Sequence, residues 1–246
     1  MPLTFPSHAA AVLPLKLSRM RLDGVALVVG SAVPDLPYAV QPWIAVDAHA
    51  WWAIAWFALP VTLIATLIVR RIAASVAAHM PDLGPWHLHD YGAVSEHRRS
   101  LLMTVGCAAA GAATHLAWDV FTHPGIGALN RTALAGQPWW HVLQIASTTI
   151  GATVTVLLTL VIGRQRLLLV DGPPTSIATS PLAFWSIAGS VWAVGLGVQS
   201  FLPDHEFTNV LGVRLLLVFA GGLALSAGAL RYWGPFRVLQ TRKGPQ

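Results

Sequence analysis

Three residues that can bind a metal ion recur at intervals of four in the stretch THLAWDVFTH, residues 114–123. They are His115, Asp119 and His123. Residues four apart lie on one face of an α-helix, with a drift of about 40° per step. Imidazole and carboxylate groups are ligands of zinc and other divalent metals. The spacing therefore predicts that His115 and Asp119 can bind one ion, while Pro124 should end the helix close to His123.

These residues end a long apolar run, one of five in the chain. Of the 246 residues 55% are hydrophobic and 10% are charged, whereas soluble proteins average about 25% charged residues. Each run has about 20 residues, enough to cross a hydrocarbon layer of about 30 Å. The composition predicts an all-α integral membrane protein. The runs are Trp51–Val69, Leu101–Val120, Val142–Gly163, Leu182–Leu202 and Leu211–Tyr232.

Two shorter apolar segments precede these runs, SHAAAVLPLKL from residue 7 and GVALVVGSAVPDLPY from residue 24. If both cross as a helical hairpin, the polytopic bundle has seven membrane elements and the N-terminus is outside. If the first segment lies on the inner surface, there are six and the N-terminus is inside. We adopt the hairpin, because only then do His8 and Asp35 lie at the same end of the bundle as the other candidate ligands.

The basic residues predict the orientation of the bundle. Lys and Arg concentrate in the cytoplasmic loops of membrane proteins. Alternation through the five long runs puts all 15 of them inside except Arg131 and Arg214. The C-terminus is then cytoplasmic, and the net charge of +5 indicates orientation rather than binding to nucleic acid.

Further candidate ligands gather at the predicted outer end. Asp35 ends the second short segment, His49 opens the first long run, and His8 joins them in the hairpin arrangement. Four His and two Asp are a plausible set for one zinc ion, or for two sharing a carboxylate. Asp35 or Asp119 could also act as the catalytic general base. The predicted metal ligands are His8, Asp35, His49, His115, Asp119 and His123.

The third long run adds a polar stripe at helical spacing. Gln144, Ser147 and Thr148 could face the same cavity and support the ligands by hydrogen bonds. A histidine inside a membrane is, however, more often a hydrogen-bond partner between helices than a ligand. The expectation of a divalent metal, with zinc as the first candidate, therefore rests on the gathering of all six residues.

The motifs resemble a bacterial membrane family catalogued as domain of unknown function 4184. The resemblance covers residues 1–165, and the last two runs share only its hydropathy. It implies a multi-pass protein of the bacterial cell (inner) membrane. The matching stretches are FPSHAAAVLPL at 5–15, GSAVPDLPY at 30–38, His49, THLAWDVFTH at 114–123 and LQIASTTIG at 143–151.

The order of the ligands is more distantly similar to that of membrane-bound metal-dependent hydrolases and of zinc-dependent phospholipase C. The phospholipase order is His, Asp, His, His-x-x-x-Asp, His and a final His-x-x-x-Glu. The chain lacks the final pair, because Ile145 stands four residues after His141, and it lacks that family's N-terminal Trp ligand. The resemblance therefore implies one or two metals rather than three. The order here is His8, Asp35, His49, His115, Asp119 and His123.

The leading functional hypothesis is a metal-dependent hydrolase of the outer membrane face, acting on a lipid or a phosphoester. A transporter or channel is the second hypothesis, but transport needs polar groups at successive depths, and here they stand at one end. A third is a non-catalytic scaffold whose His and Asp groups only join helices. We expect residues 1–246 to form a single integral membrane domain, with 1–165 bearing the motifs and 166–246 adding two spans and a cytoplasmic tail.

Overall fold

The computed structural model describes residues 5–17, 22–97 and 99–233, and within these ranges the chain forms an all-α bundle of seven α-helices. A short hairpin of two strands, β1 (Thr132–Leu134) and β2 (Gln137–Pro138), precedes α5. Residues 1–4, residues 18–21 between the two short N-terminal segments, Arg98, and residues 234–246 lie outside the described residues. The helices are α1 (Phe5–Leu17), α2 (Gly24–Gly30), α3 (Leu59–His79), α4 (Leu101–Thr122), α5 (Trp139–Arg164), α6 (Pro181–Gln199) and α7 (Thr208–Trp233).

Five helices are long and apolar enough to cross a membrane, which confirms the five predicted spans. The first begins three residues later than predicted, with a π-helical turn at Ile54–Ala58 that runs directly into α3. It also continues ten residues past Val69, to His79. The chain is therefore a multi-pass membrane protein. The spans are Ile54–His79, Leu101–Thr122, Trp139–Arg164, Pro181–Gln199 and Thr208–Arg231.

The two short N-terminal segments pack against the spanning helices. α1 lies against α5, and α2 lies against α4. Val12 of α1 is fully buried with Leu27 of α2 and Cys107 of α4. The second segment is not one continuous helix, because α2 ends at Gly30 and the chain continues as a 3-10 helix, Val33–Val40. Proline is tolerated at a helix start but lacks the N–H that an inner turn requires, so two prolines here favour this shorter, tighter helix.

The backbones of α2 and α4 touch where glycines face the neighbouring helix. A Cβ atom on Gly111 would lie 2.3 Å from the carbonyl oxygen of Leu27, and one on Gly30 would lie 2.6 Å from that of Ala108. Small residues allow such close approach of helices in lipid. The contact holds the chain after α2 against the last turns of α4.

The last two spans form a hairpin that packs against the rest of the bundle. Gly195 of α6 lies under Val218 of α7, and the indole of Trp192 donates a hydrogen bond of 3.2 Å to the carbonyl of Phe219. α7 also contacts the 3-10 helix at Val33–Val40. Through this contact the C-terminal hairpin reaches the segment that carries Asp35.

Candidate metal centre

His115 and Asp119 lie on one face of α4, one turn apart, as their spacing predicts. The Nε2 atom of His115 is 3.1 Å from Oδ2 of Asp119, and the His115 side chain is 0% exposed. α4 ends at Thr122, so the predicted end beside Pro124 is confirmed. His123 follows as the C-terminal cap, with Nδ1 3.6 Å from Oδ1 of Asp119.

Asp35 and His49 reach the same point from the chain between α2 and α3. The Nε2 atom of His49 is 3.2 Å from Oδ1 of Asp35 and 3.4 Å from Oδ2 of Asp119. Nε2 of His115 is 3.5 Å from the same oxygen of Asp35. The candidate ligand atoms of these four residues all lie within 4.8 Å of one another. Two imidazole nitrogens and two carboxylate oxygens thus converge on one small volume.

His8 also lies at this end of the bundle. Its ring stacks on that of His115, with centroids 3.8 Å apart, and its Nε2 atom is 3.6 Å from Oδ1 of Asp119. The structure therefore brings all six predicted ligands together. His49 and His115 face Oδ2 of Asp119, whereas His8 and His123 face its other oxygen, Oδ1.

A backbone contact orients the ring of His115. Its Nδ1 atom is 2.7 Å from the carbonyl oxygen of Ser31, the residue that follows α2, and a carbonyl can only accept. The proton of a neutral ring must then be on Nδ1, and the lone pair of Nε2 faces the carboxylates. Metal-binding histidines are held in this way by an acceptor behind the ring.

The carboxylates make the centre favourable for positive charge. Burial lowers the pKa of His49, but hydrogen bonds with Asp119 and Asp35 outweigh burial and raise the pKa to about 9. Burial raises the pKa of Asp35, but its contacts with His115 and His49 hold that pKa well below the ordinary range. Oδ1 of Asp119 is buried and accepts no hydrogen bond among the residues that the structure describes.

The polar stripe lies on α5, which packs against α1 and α4, the helices that carry His8 and Asp119. Gln144 is buried, and its Oε1 atom has no hydrogen-bond partner in the described part of the chain. Ser147 joins three helices, because its carbonyl accepts from Ser7 on α1 at 2.7 Å and its hydroxyl accepts from Trp118 on α4 at 2.8 Å. Thr148 donates to the carbonyl of Gln144, within its own helix.

Comparison with known protein families identifies the family of the chain. The family described as Domain of unknown function (DUF4184) matches residues 1–229. The chain belongs to this family. The match extends past residue 165, where the resemblance in the motifs ends, and takes in α6 and most of α7. Neither the curated proteins nor the solved structures contain a significant match to the chain.

Arg214 on α7 binds the segment that carries Asp35, and it is not among the predicted site residues. Its side chain is buried and donates hydrogen bonds to the carbonyls of Ala39 at 3.0 Å and Pro203 at 2.7 Å, and to that of Gln41. The guanidinium also lies 5.3 Å from the ring centroid of Trp43. These bonds fix the end of the 3-10 helix that carries Asp35. An ionisable residue inside a span is a functional candidate by default, and that signal was present in the sequence.

The centre is partly exposed at His49 and His123. The His49 side chain is 34% exposed and that of His123 is 28% exposed, whereas His8 and His115 are buried. Large apolar side chains stand exposed in the segments around this opening. Aromatic residues of this kind are enriched where a membrane meets water. They are Trp43, Trp51, Trp52 and Phe121.

Proposed function

We propose that this chain is a metal-dependent hydrolase of a membrane face, and that the centre around Asp119 binds its divalent ion. The convergence of Asp35, His49, His115 and Asp119 within 4.8 Å is the observation that supports this function. Three separate segments deliver these ligands to one point at the rim of a membrane bundle. Ionisable groups in such places mark functional sites, because their burial is costly.

The donor atoms fit a zinc-like ion. Zinc is bound by imidazole nitrogen and carboxylate oxygen, commonly in sets of three or four protein ligands. The bond from His115 to the Ser31 carbonyl leaves Nε2 as a donor of its lone pair. In the described part of the chain neither Asp35 nor Asp119 contacts an Arg or Lys, so no fixed cation neutralises them.

Asp35, His49, His115 and Oδ2 of Asp119 would hold one ion. A bound divalent ion polarises a phosphoryl or acyl oxygen and lowers the pKa of a water molecule to about 7. Oδ1 of Asp119 accepts no hydrogen bond among the described residues, so it would be available to accept a proton from the attacking water. His123, with Nδ1 3.6 Å from this oxygen and its ring partly exposed, can pass the proton to the leaving group.

Alternatively, Oδ1 of Asp119 would bind a second ion instead of acting as a base. His8 and His123 both face that oxygen at 3.6 Å, so the carboxylate of Asp119 could bridge two ions.

The substrate would be a phosphoester or a lipid, because the opening lies among exposed aromatic side chains at the end of the spanning helices.

Elemental analysis of the purified chain tests this function. Wild type should retain one or two zinc ions per chain after mild extraction and hydrolyse a chromogenic nitrophenyl phosphodiester. Asp119→Asn keeps the shape of the side chain, and it should lose both metal and hydrolysis. If wild type contains no metal and Asp119→Asn only lowers the melting temperature, the result would instead support a non-catalytic scaffold. Uptake by reconstituted vesicles without hydrolysis would support transport.

A further inference from the structure

A groove between α1, α4 and α5 runs from the metal centre along the outside of the bundle. Its volume is about 510 Å³, which lies within the range of about 300–1,000 Å³ for ligand pockets. Alanines and large apolar side chains form most of its wall. The groove is lined by Ser7, Ala10, Ala11, Trp118, Phe121, Thr122, Leu143, Ala146, Ser147, Ile150, Gly151 and Val154.

One end of the groove adjoins the candidate ligands. Ser7 precedes His8 in α1, and Trp118 precedes Asp119 in α4. Thr122 ends α4 directly before His123, and its hydroxyl lies 3.3 Å from Nδ1 of that ring. A molecule lying in the groove would therefore reach the side of the centre that faces Oδ1 of Asp119.

The groove has the length and depth of a lipid tail. Along α5 it extends from Leu143 to Val154, a rise of about 16 Å at about 1.5 Å per residue. Half of a hydrocarbon core of about 30 Å is about 15 Å. Both α4 and α5 are spanning helices, so the groove lies at the depth of the acyl chains of one leaflet.

The floor of the groove is closed and its polar atoms are satisfied. A Cβ atom on Gly151 would lie 2.4 Å from the Cα of Ser7, so α1 and α5 touch along the floor. The hydroxyl of Ser7 donates to the carbonyl of Ser147, and the indole of Trp118 donates to the hydroxyl of Ser147. These bonds leave an apolar wall for an occupant, as a lipid tail requires.

We propose that this groove binds one acyl chain of the substrate and that the substrate is therefore a lipid with its ester or phosphoester at the metal centre. The placement of the scissile group rests on the proposed function, whereas binding of the chain in the groove does not. A water-soluble phosphoester would have no use for an apolar groove one leaflet long. The assignment thus selects the lipid among the substrates considered above.

Crosslinking with a phosphatidylglycerol that carries a diazirine in its acyl chain tests the binding directly. The full chain would be reconstituted in vesicles containing the probe, irradiated, digested and mapped by mass spectrometry. Crosslinks should concentrate on the groove residues of α1 and α5, such as Ala11, Ala146 and Ile150. Crosslinks spread evenly over all lipid-facing helices would overturn the proposal. So would groove residues that the lipid does not label because a second copy of the chain covers them.

Two variants one residue apart provide the matched pair. Ala146→Trp fills the groove, whereas Ile145→Trp places the same ring on an exposed position outside it. An acyl chain that loses contact with the groove over two methylene groups binds about 10-fold more weakly. Ala146→Trp should therefore reduce crosslinking at least about 10-fold. Ile145→Trp should leave it unchanged. Ala10→Phe, on the opposite wall, replaces Ala146→Trp should that variant not fold.

Hydrolysis by the same proteins separates the two proposals. Ala146→Trp should lose activity on phosphatidylglycerol vesicles but keep it on the soluble nitrophenyl phosphodiester. If wild type hydrolyses neither compound while crosslinks still map to the groove, the proposed function fails and the groove stands. If Ala146→Trp and wild type hydrolyse the vesicles equally, the groove proposal fails and the metal centre stands.

Discussion

Buried carboxylates stand at both ends of this bundle, but they have different partners. At the end opposite the metal centre, Asp23 caps α2 and binds the guanidinium of Arg70, while its Oδ2 atom also accepts from the Thr104 hydroxyl at 2.7 Å. Asp90 is bound by Arg166 through two hydrogen bonds. Each carboxylate there has a permanent cation, so the charge is neutralised within the protein.

At the other end Asp35 and Asp119 are surrounded by imidazole rings. In the described chain they contact no Arg or Lys, and one oxygen of Asp119 accepts no hydrogen bond. An imidazole, unlike a guanidinium, can give up its proton and become a ligand at neutral pH. Asp23 and Asp90 therefore form charge pairs within the protein, whereas the charges of Asp35 and Asp119 are available to an ion.

Two buried histidines provide the largest expected contrast between the ends. His115→Ala should abolish metal binding, measured by elemental analysis and zinc titration, because it removes a ligand and its bond to Ser31. His79 is buried at the opposite end, where its Nε2 accepts from the backbone of Ser180. His79→Ala should lower the melting temperature and leave the zinc content unchanged. Equal loss of zinc in both variants would contradict the distinction.

Removal of the proposed metal should lower the stability of the folded chain. At a free zinc concentration of 100 times the dissociation constant, binding stabilises the folded state by about 2.7 kcal/mol. Chelation should therefore lower the melting temperature of wild type in detergent by several degrees. Asp119→Asn serves as the control, since it should melt at one temperature with or without chelator. An unchanged melting temperature in wild type would count against a resident ion.

Loss of the charge pair at Asp23 should affect stability alone. Asp23→Asn keeps an acceptor for the Thr104 hydroxyl but removes the charge that binds Arg70. Hydrogen bonds to charged groups contribute about 1.5–3 kcal/mol, and thermal unfolding should show a loss of that order. The zinc content and the rate of phosphodiester hydrolysis per bound zinc should match wild type. A fall in zinc affinity would show that the two ends are coupled.

The smallest expected effect concerns Arg214, which acts on the centre through the backbone. Arg214→Met removes the bonds to the carbonyls of Ala39 and Gln41 while keeping an unbranched apolar side chain. Groups that support a ligand from behind contribute about 10–100-fold in metal affinity, and the low end, about 10-fold, is expected here. Zinc titration measures it, and hydrolysis at saturating zinc should recover. Failure to recover would mean a more direct role.

The spans, and the shared face of His115 and Asp119, were predictable because each rests on a local pattern. Apolar runs of about 20 residues predict spanning helices by length alone. The spacing of His115 and Asp119 predicts a shared helix face. Placing His8 beside them required one further assumption, that the first two segments form a hairpin, and the structure has His8 3.6 Å from Asp119.

Other features depend wholly or partly on contacts distant in sequence. The break after Gly30 follows from packing on α4 and from the two prolines beyond it. Arg214 is far along the chain from the carbonyls that it binds, so only the tertiary fold pairs them. Gln144 and Thr148 have the helical spacing of a supporting stripe, yet Thr148 bonds to its own helix.

The close contact of α2 with α4 at Gly30 and Gly111 fixes the width of the candidate centre. With no side chain on either residue, α2 lies directly on the backbone of α4, and this sets how far the Ser31 carbonyl and Asp35 stand from His115. Cavity size and ligand distance decide which ion a site prefers. A single methyl group at Gly111 would push the helices apart without touching a ligand. If the proposed ion binds, Gly111→Ala should therefore change which ion the centre prefers, although no ligand is altered.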